Sequence, residues 1–157
     1  MIILSQILAA VALLASAIIY GTDVFCAIVQ RPALAQVSDG ALTRVMGRVH
    51  EYGDRRLPLP GVIGLIAAAL AAITAGIAGH AVAAAAAAAA VALQVVWLVI
   101  YLRISAPVNH VLTSAARAGH VPADARSLQL RWDSVITARA ILQAAAAIAL
   151  CVALAVR

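Results

Sequence analysis

Two charged residues stand inside long apolar runs, and their chemistry needs a partner: Asp23 and Arg139. A charge at the centre of a bilayer costs at least about 2.5 kcal/mol on insertion scales, so an acid and a base at equal depth are expected to meet. Asp23 lies eight residues before Arg31, and Arg139 lies eight residues after Arg131. At about 1.5 Å per helical residue, both sit roughly 12 Å inward from those arginines. The expectation is an ion pair between Asp23 and Arg139.

Gln94 lies nine residues before Arg103, and Gln143 twelve after Arg131. The same count puts them roughly 14 and 18 Å deep, so three apolar runs bring polar groups towards one layer. Tyr20, Thr22, Trp97 and Thr137 fall among them and are candidates to line it. Such a layer suits the polar end of an apolar ligand, with Asp23 and Arg139 as the reactive pair. The plainer reading is that the pair and the glutamines set helix register, and Arg139 can alternatively snorkel to the inner surface.

Other chemistries are weaker. Cys26 is five residues inward from Arg31 and Cys151 twenty beyond Arg131, roughly 8 and 30 Å on the same scale, near opposite faces and too far apart for a disulfide. The absence of Cys-x-x-Cys also argues strongly against a quinone-linked thiol oxidoreductase, and both read as small packing residues. His50, His110 and His120 fall in connections between apolar runs and His80 at a turn, so no span offers facing histidines for a haem. Glu51 is the only Glu, which excludes a carboxylate-bridged di-iron centre. A metal bound by His50, Glu51 and Asp54 with help from His110 is open, but no ligand spacing is diagnostic and solvated loop residues are the better reading. No metal and no cofactor are expected.

The elements that must position these residues follow from composition. Of 157 residues, 66% are hydrophobic and 11% charged, against roughly 25% charged in a soluble domain. The solvent for most of this surface is therefore a lipid bilayer. Apolar runs give one integral membrane domain over 1–157 with spans of about 2–29, 58–78, 81–102 and 134–156. Spans two and three are fused in sequence, and the break is expected between Gly76 and His80, where Gly79 supplies turn chemistry. No basic residue precedes the first run, so it reads as a retained anchor although residues 15–17 resemble a cleavage site.

All eleven basic residues are Arg, and the formal net charge is +5. Nine of them fall in two long connections (31, 44, 48, 55 and 56; 103, 117, 126 and 131), and only Arg157 lies on the other side. That bias places both connections in the cytoplasm and both termini outside the plasma (inner) membrane. It also assigns the arginines to topology, so nucleic acid is rejected as a partner. The fold class is all-α, a transmembrane four-helix bundle running up-down-up-down.

Within the connections, Ser38 or Asp39 can cap a short amphipathic helix whose apolar face is Leu42, Val45, Met46 and Val49, lying along the cytoplasmic surface. A separate short helix is expected from Pro107 to Ala118, stopped at Gly119. Pro122 then starts another that continues through Trp132 into span four. Asn109 is expected to cap the short helix, although a ligand-binding role is open to it. Residues 83–90 are an unbroken run of eight alanines, which either reflects general Ala richness or favours close packing and self-association through the third helix.

Trp97, Tyr101, Arg103, the Pro107, Val108 and Asn109 segment followed by Leu112, and Arg131 and Trp132 with Arg139 seven residues after the Trp form a pattern. It resembles the anthrone-oxygenase-like family of small four-span membrane proteins over roughly Trp97 to the C-terminus. The resemblance implies oxidation of polyketide anthrones to anthraquinones without metal or flavin. It marks Pro107, Asn109, Arg131, Trp132 and Arg139 as family-type positions. Where many members carry a His three residues before the last Arg, this chain has Ile136.

The first reading is therefore a cofactor-independent oxygenase-like enzyme for a lipophilic aromatic substrate. Asp23 and Arg139 would be catalytic, with Tyr20, Thr22, Gln94, Trp97, Asn109, Trp132 and Gln143 lining the substrate site. Arg139 would stabilise developing charge, whereas Asp23 can act as base only if burial makes it a stronger proton acceptor, which a neighbouring Arg opposes, so the two roles conflict unless the pair separates on substrate binding. The alternative is a non-catalytic structural or accessory membrane protein that self-associates or joins a larger complex. A lipid or small-molecule carrier using the same cavity is a third.

Overall fold

The structure is a computed structural model describing residues 1–156; Arg157, counted above as the outer arginine, lies outside them. Five helices account for the fold: α1 (Ile2–Leu34), α2 (Asp39–Arg56), α3 (Pro58–Ile77), α4 (Ala81–Ala118) and α5 (Ala125–Ala155). The described residues contain no strand, so the chain is all-helical as expected. α1, α3, α4 and α5 each carry an 18-residue window with mean hydropathy between 2.0 and 2.5. Together they make this an integral membrane protein. The expected breaks stand where glycine permits them: Gly79 (φ +79°) separates α3 from α4, and Gly119 (φ +70°) ends α4. Ser38 caps α2, its Oγ accepting from the Ala41 N–H at 3.3 Å.

Two helices are longer than the expected spans for one shared reason. α1 widens into a π-helical stretch at Cys26–Gln30, and α4 does so at Tyr101–Ser105. In each, a backbone N–H reaches back five residues, Arg31 to the Cys26 carbonyl and Ala106 to the Tyr101 carbonyl. Pro32 and Pro107 follow two residues after each stretch. Proline has no N–H and its ring crowds the carbonyl four residues back, here Ile28 and Arg103, so a wider turn at that point relieves the crowding. The separate helix expected from Pro107 is therefore continuous with α4.

The described chain packs as two compact units. The first comprises Met1–Gly21, Pro58–Trp97 and the chain from Ile141. Its core is almost wholly alanine: Ala12, Ala67, Ala68, Ala90 and Ala146 with Leu150, and Ala9, Ala71, Ala87 and Ala153. Large side chains such as Ile3, Leu14, Ile73, Val82 and Ile148 face outward. Small residues inside and large ones outside is the arrangement lipid favours, because close backbone approach, rather than exclusion of water, holds the helices together. Ala83, Ala87 and Ala90 of the alanine run are buried within this unit, so that face of the run is used in packing the chain itself.

The second unit comprises Thr22–Leu57 and Leu98–Ala140. Its core is built from larger groups: Cys26, Leu34, Leu42, Met46, Val108, Leu112, Trp132 and Ile136. α2 packs against the second half of α4, and Gly47 is the point of closest approach. A Cβ there would collide with the Leu112 carbonyl and Ala116 Cβ. The Thr113 hydroxyl also donates to the Gly47 carbonyl at 3.1 Å. This contact corrects the expected face of α2. The buried residues are Leu42, Thr43, Met46, Gly47 and His50, while Val45 and Val49 are exposed. Small Thr43 and Gly47 let the backbones approach, and that turns the helix away from the face that hydrophobicity alone selects.

Candidate functional site

The second unit contains the only buried ion pair among the described residues. The Arg139 Nη2 donates to Asp23 Oδ1 at 2.6 Å, with side-chain exposures of 6% and 1%. Arg139 Nη1 donates to the Ser105 hydroxyl at 2.8 Å. The guanidinium carbon lies 5.4 Å from the Trp132 ring centroid and 5.6 Å from that of Tyr101. Two hydrogen-bonding side chains and two aromatic faces thus hold one cation, a setting in which cation–π attraction is strengthened by desolvation. Ser105 and Tyr101 are the two ends of the α4 π-helical stretch.

α2 supplies the other half. The Asp54 Oδ1 accepts from the Tyr101 hydroxyl at 2.7 Å and from the Asn109 amide at 2.9 Å. Asn109 is therefore a helix-interior residue bound to Asp54, and the expected capping role is replaced by this bond. One turn earlier, His50 meets Trp132 with ring centroids 5.6 Å apart and planes tilted by 46°. His50 is buried, which corrects its reading as a solvated loop residue. Burial, reinforced by the Arg139 charge, pushes its pKa down to about 4. The imidazole is therefore neutral near pH 7.

These residues enclose a cavity of about 70 Å³ whose lining includes Thr22, Asp23, His50, Tyr101, Trp132 and Arg139, with Asn109 also on its wall. His50 Nε2, Asn109 Oδ1 and Trp132 Nε1 are buried polar atoms without a protein partner. Buried polar groups are nearly always satisfied, so three such atoms around one small void point to a polar occupant. The occupant is small, since a molecule of water takes about 30 Å³ and drug-sized pockets run to roughly 300 Å³ or more.

The remaining sequence candidates are distributed otherwise. Gln94 belongs to the first unit, where its Nε2 donates to the Ser16 hydroxyl at 2.9 Å. Gln143 is buried in that same unit. Tyr20 and Trp97 also fall there, Tyr20 partly exposed, and Thr137 is exposed. Position along a helix fixes depth but not the direction a side chain faces. Glu51 turns outward to Arg48 (2.8 Å), Arg117 (2.9 Å) and Arg55 (3.2 Å), and hydrogen bonds from Arg117 and Arg48 hold its pKa below the usual value. With Asp54 bound to Tyr101 and Asn109, the acids beside His50 in sequence do not converge on it.

His50, Asp54, Tyr101 and Ser105 are the residues missed as site candidates. For His50 and Asp54 a signal was present: with Thr43 and Gly47 they recur at helical spacing, a stripe of small and polar residues on one face of α2. Compared with family models, with curated proteins and with solved structures, the chain matches none. Nothing in these comparisons bears on the resemblance to anthrone-oxygenase-like proteins.

Proposed function

We propose that the chain is a membrane-embedded, cofactor-independent oxygenase-like enzyme that binds a lipophilic aromatic molecule over the Arg139 cavity. The observation that carries this reading is a fixed cation and a neutral imidazole on the walls of one void. A cavity of about 70 Å³ cannot hold three fused rings, so the flat molecule would lie across its mouth, with the central ring between Arg139 and His50 and the outer rings among lipid chains. In an anthrone-type substrate the ring carbonyl would accept from Arg139, and the methylene proton would pass to His50 Nε2. Charge then develops as an enolate on the oxygen beside Arg139, where a preorganised cation is most effective. The carbanion adds dioxygen and takes the proton back from His50 to give a carbon-bound hydroperoxide; loss of the remaining C–H proton as the O–O bond breaks releases water and leaves a carbonyl where the methylene stood. His50 takes the place of the family-type histidine whose position is Ile136 here. Asp23 acts by holding Arg139.

The test is oxygen uptake and quinone absorbance by the detergent-purified protein with an anthrone as probe. Wild type is expected to exceed Arg139→Gln by about a hundredfold or more, and His50→Asn by a similar factor. Equal rates in wild type, both variants and buffer would sink the enzyme reading and leave the structural or accessory one. The arginine bias supports an up-down-up-down topology in the plasma membrane, with the connections around α2 and before α5 cytoplasmic and both termini outside. Labelling of single cysteines placed at Arg44 and His80 by an impermeant reagent on intact cells is expected to mark only the latter.

A further inference from the structure

On the second unit, a groove of about 530 Å³ runs between the end of α1 and the start of α5. Leu34 and Leu130 form apolar walls, and Arg31, Arg126, Gln129 and Asp133 supply its polar groups. The charges are not equivalent. Arg126 is engaged by Asp39 at 2.8 Å and by the Leu34 and Val37 carbonyls at 2.8 and 2.7 Å. Arg31 makes no ion pair among the described residues. Asp133 is half-buried, and the buried Gln129 orients it by donating from Nε2 to Asp133 Oδ1 at 2.9 Å. The groove thus offers one cation that makes no ion pair and acts on Asp133 only at longer range, and one positioned carboxylate, with leucine on its walls.

We infer that this groove binds a phospholipid with a zwitterionic headgroup carrying a primary ammonium, the phosphate at Arg31 and the ammonium at Asp133. Three features select that occupant. The groove lies at the ends of two membrane-spanning helices, beside the arginines that mark the interface, where headgroups are abundant. A purely anionic headgroup would satisfy Arg31 but set its charge against Asp133. A quaternary ammonium has no N–H for a carboxylate, and no aromatic residue lines the groove to cage it. The acyl chains would run against Leu34 and Leu130. This site is independent of the Arg139 cavity and of its proposed chemistry.

Native mass spectrometry of the detergent-purified full chain, titrated with phosphatidylethanolamine, phosphatidylcholine and phosphatidylglycerol of matched chains, tests the inference. Wild type is expected to retain the ethanolamine lipid at least about tenfold better than the other two, the scale of one charge-assisted hydrogen bond. Asp133→Asn is expected to remove that preference and Arg31→Gln to weaken all three lipids. Leu130→Trp, at an exposed position that tolerates bulk, fills the groove without touching a charge and is expected to reduce ethanolamine-lipid retention; it serves if Asp133→Asn does not fold. Equal retention of the three lipids by wild type, preference for phosphatidylglycerol, or an ethanolamine preference that survives both Asp133→Asn and Leu130→Trp would overturn it.

Discussion

Replacing Asp23 with Asn tests the central pair most directly. The substitution keeps the shape and an oxygen for Arg139 but removes the charge. Arg139 would then be a cation at 6% side-chain exposure whose 2.6 Å carboxylate is gone. Two charges about 4 Å apart interact by about 4 kcal/mol at the effective dielectric that suits protein sites. Removing one partner of a buried pair typically costs about 3–5 kcal/mol, because the other charge stays behind. The Ser105 hydrogen bond and the faces of Trp132 and Tyr101 remain to Arg139, so the loss should fall near the low end, about 3 kcal/mol. The assay is reversible unfolding in mixed micelles with rising dodecyl sulfate, for wild type, Asp23→Asn, Arg139→Gln and the double variant. The double variant should lose at least about 1 kcal/mol less than the two singles added together. A loss below about 1 kcal/mol for Asp23→Asn, or strict additivity, would refute the argument that these residues stabilise each other.

Gly47→Ala should destabilise by about 1–3 kcal/mol or more, since backbone and a Cβ of α4 block the new methyl. Gly61→Ala, with open space around it, should instead gain about 0.5–1 kcal/mol; equal thermal shifts for the two would contradict the packing described. Gly64→Ala sets its methyl 2.9 Å from Ser16 Oγ, so loss of the Gln94 hydrogen bond should cost about 1 kcal/mol, read by the same melts. Because His50 falls from 6.5 to about 4 on folding, the unfolded chain binds the proton first. Stability should therefore decline as pH drops from 6.5 towards 4, by about 3 kcal/mol in all. His50→Phe should remove that limb and keep the smaller loss below pH 4.5 from Glu51, whose lowered pKa stabilises the fold only while ionised. An unchanged acid limb in His50→Phe would mean that another group sets it.

Much of the architecture was legible because a bilayer imposes simple rules on a chain. Apolar length located the four long helices, and glycine with positive φ marked the breaks at Gly79 and Gly119. The meeting of Asp23 with Arg139 was legible for a related reason: a lone charge in lipid is costly enough that equal depth nearly specifies the partner. Gln94 and Gln143 carried no such penalty, and Ser16 was an equally good partner for an amide. Asn109 was ambiguous because capping and tertiary hydrogen bonding use the same side-chain groups.

What the amino-acid order determined by itself was which segments enter lipid, where they stop, and that two charged residues must be paired. What only the tertiary structure decided was which face of each helix looks inward, and so which neutral polar residues join that pair. Each residue turns a helix by about 100°, and a single π-helical turn shifts every side chain beyond it. Pro32 and Pro107 each accompany such a turn, and Gly47 sets how closely α2 approaches α4. Those contacts carry His50 against Trp132 and Asp54 against Tyr101. Hydrophobic periodicity ranks faces by how apolar they are, whereas backbone approach depends on where the small residues lie, and on α2 the two criteria select different faces.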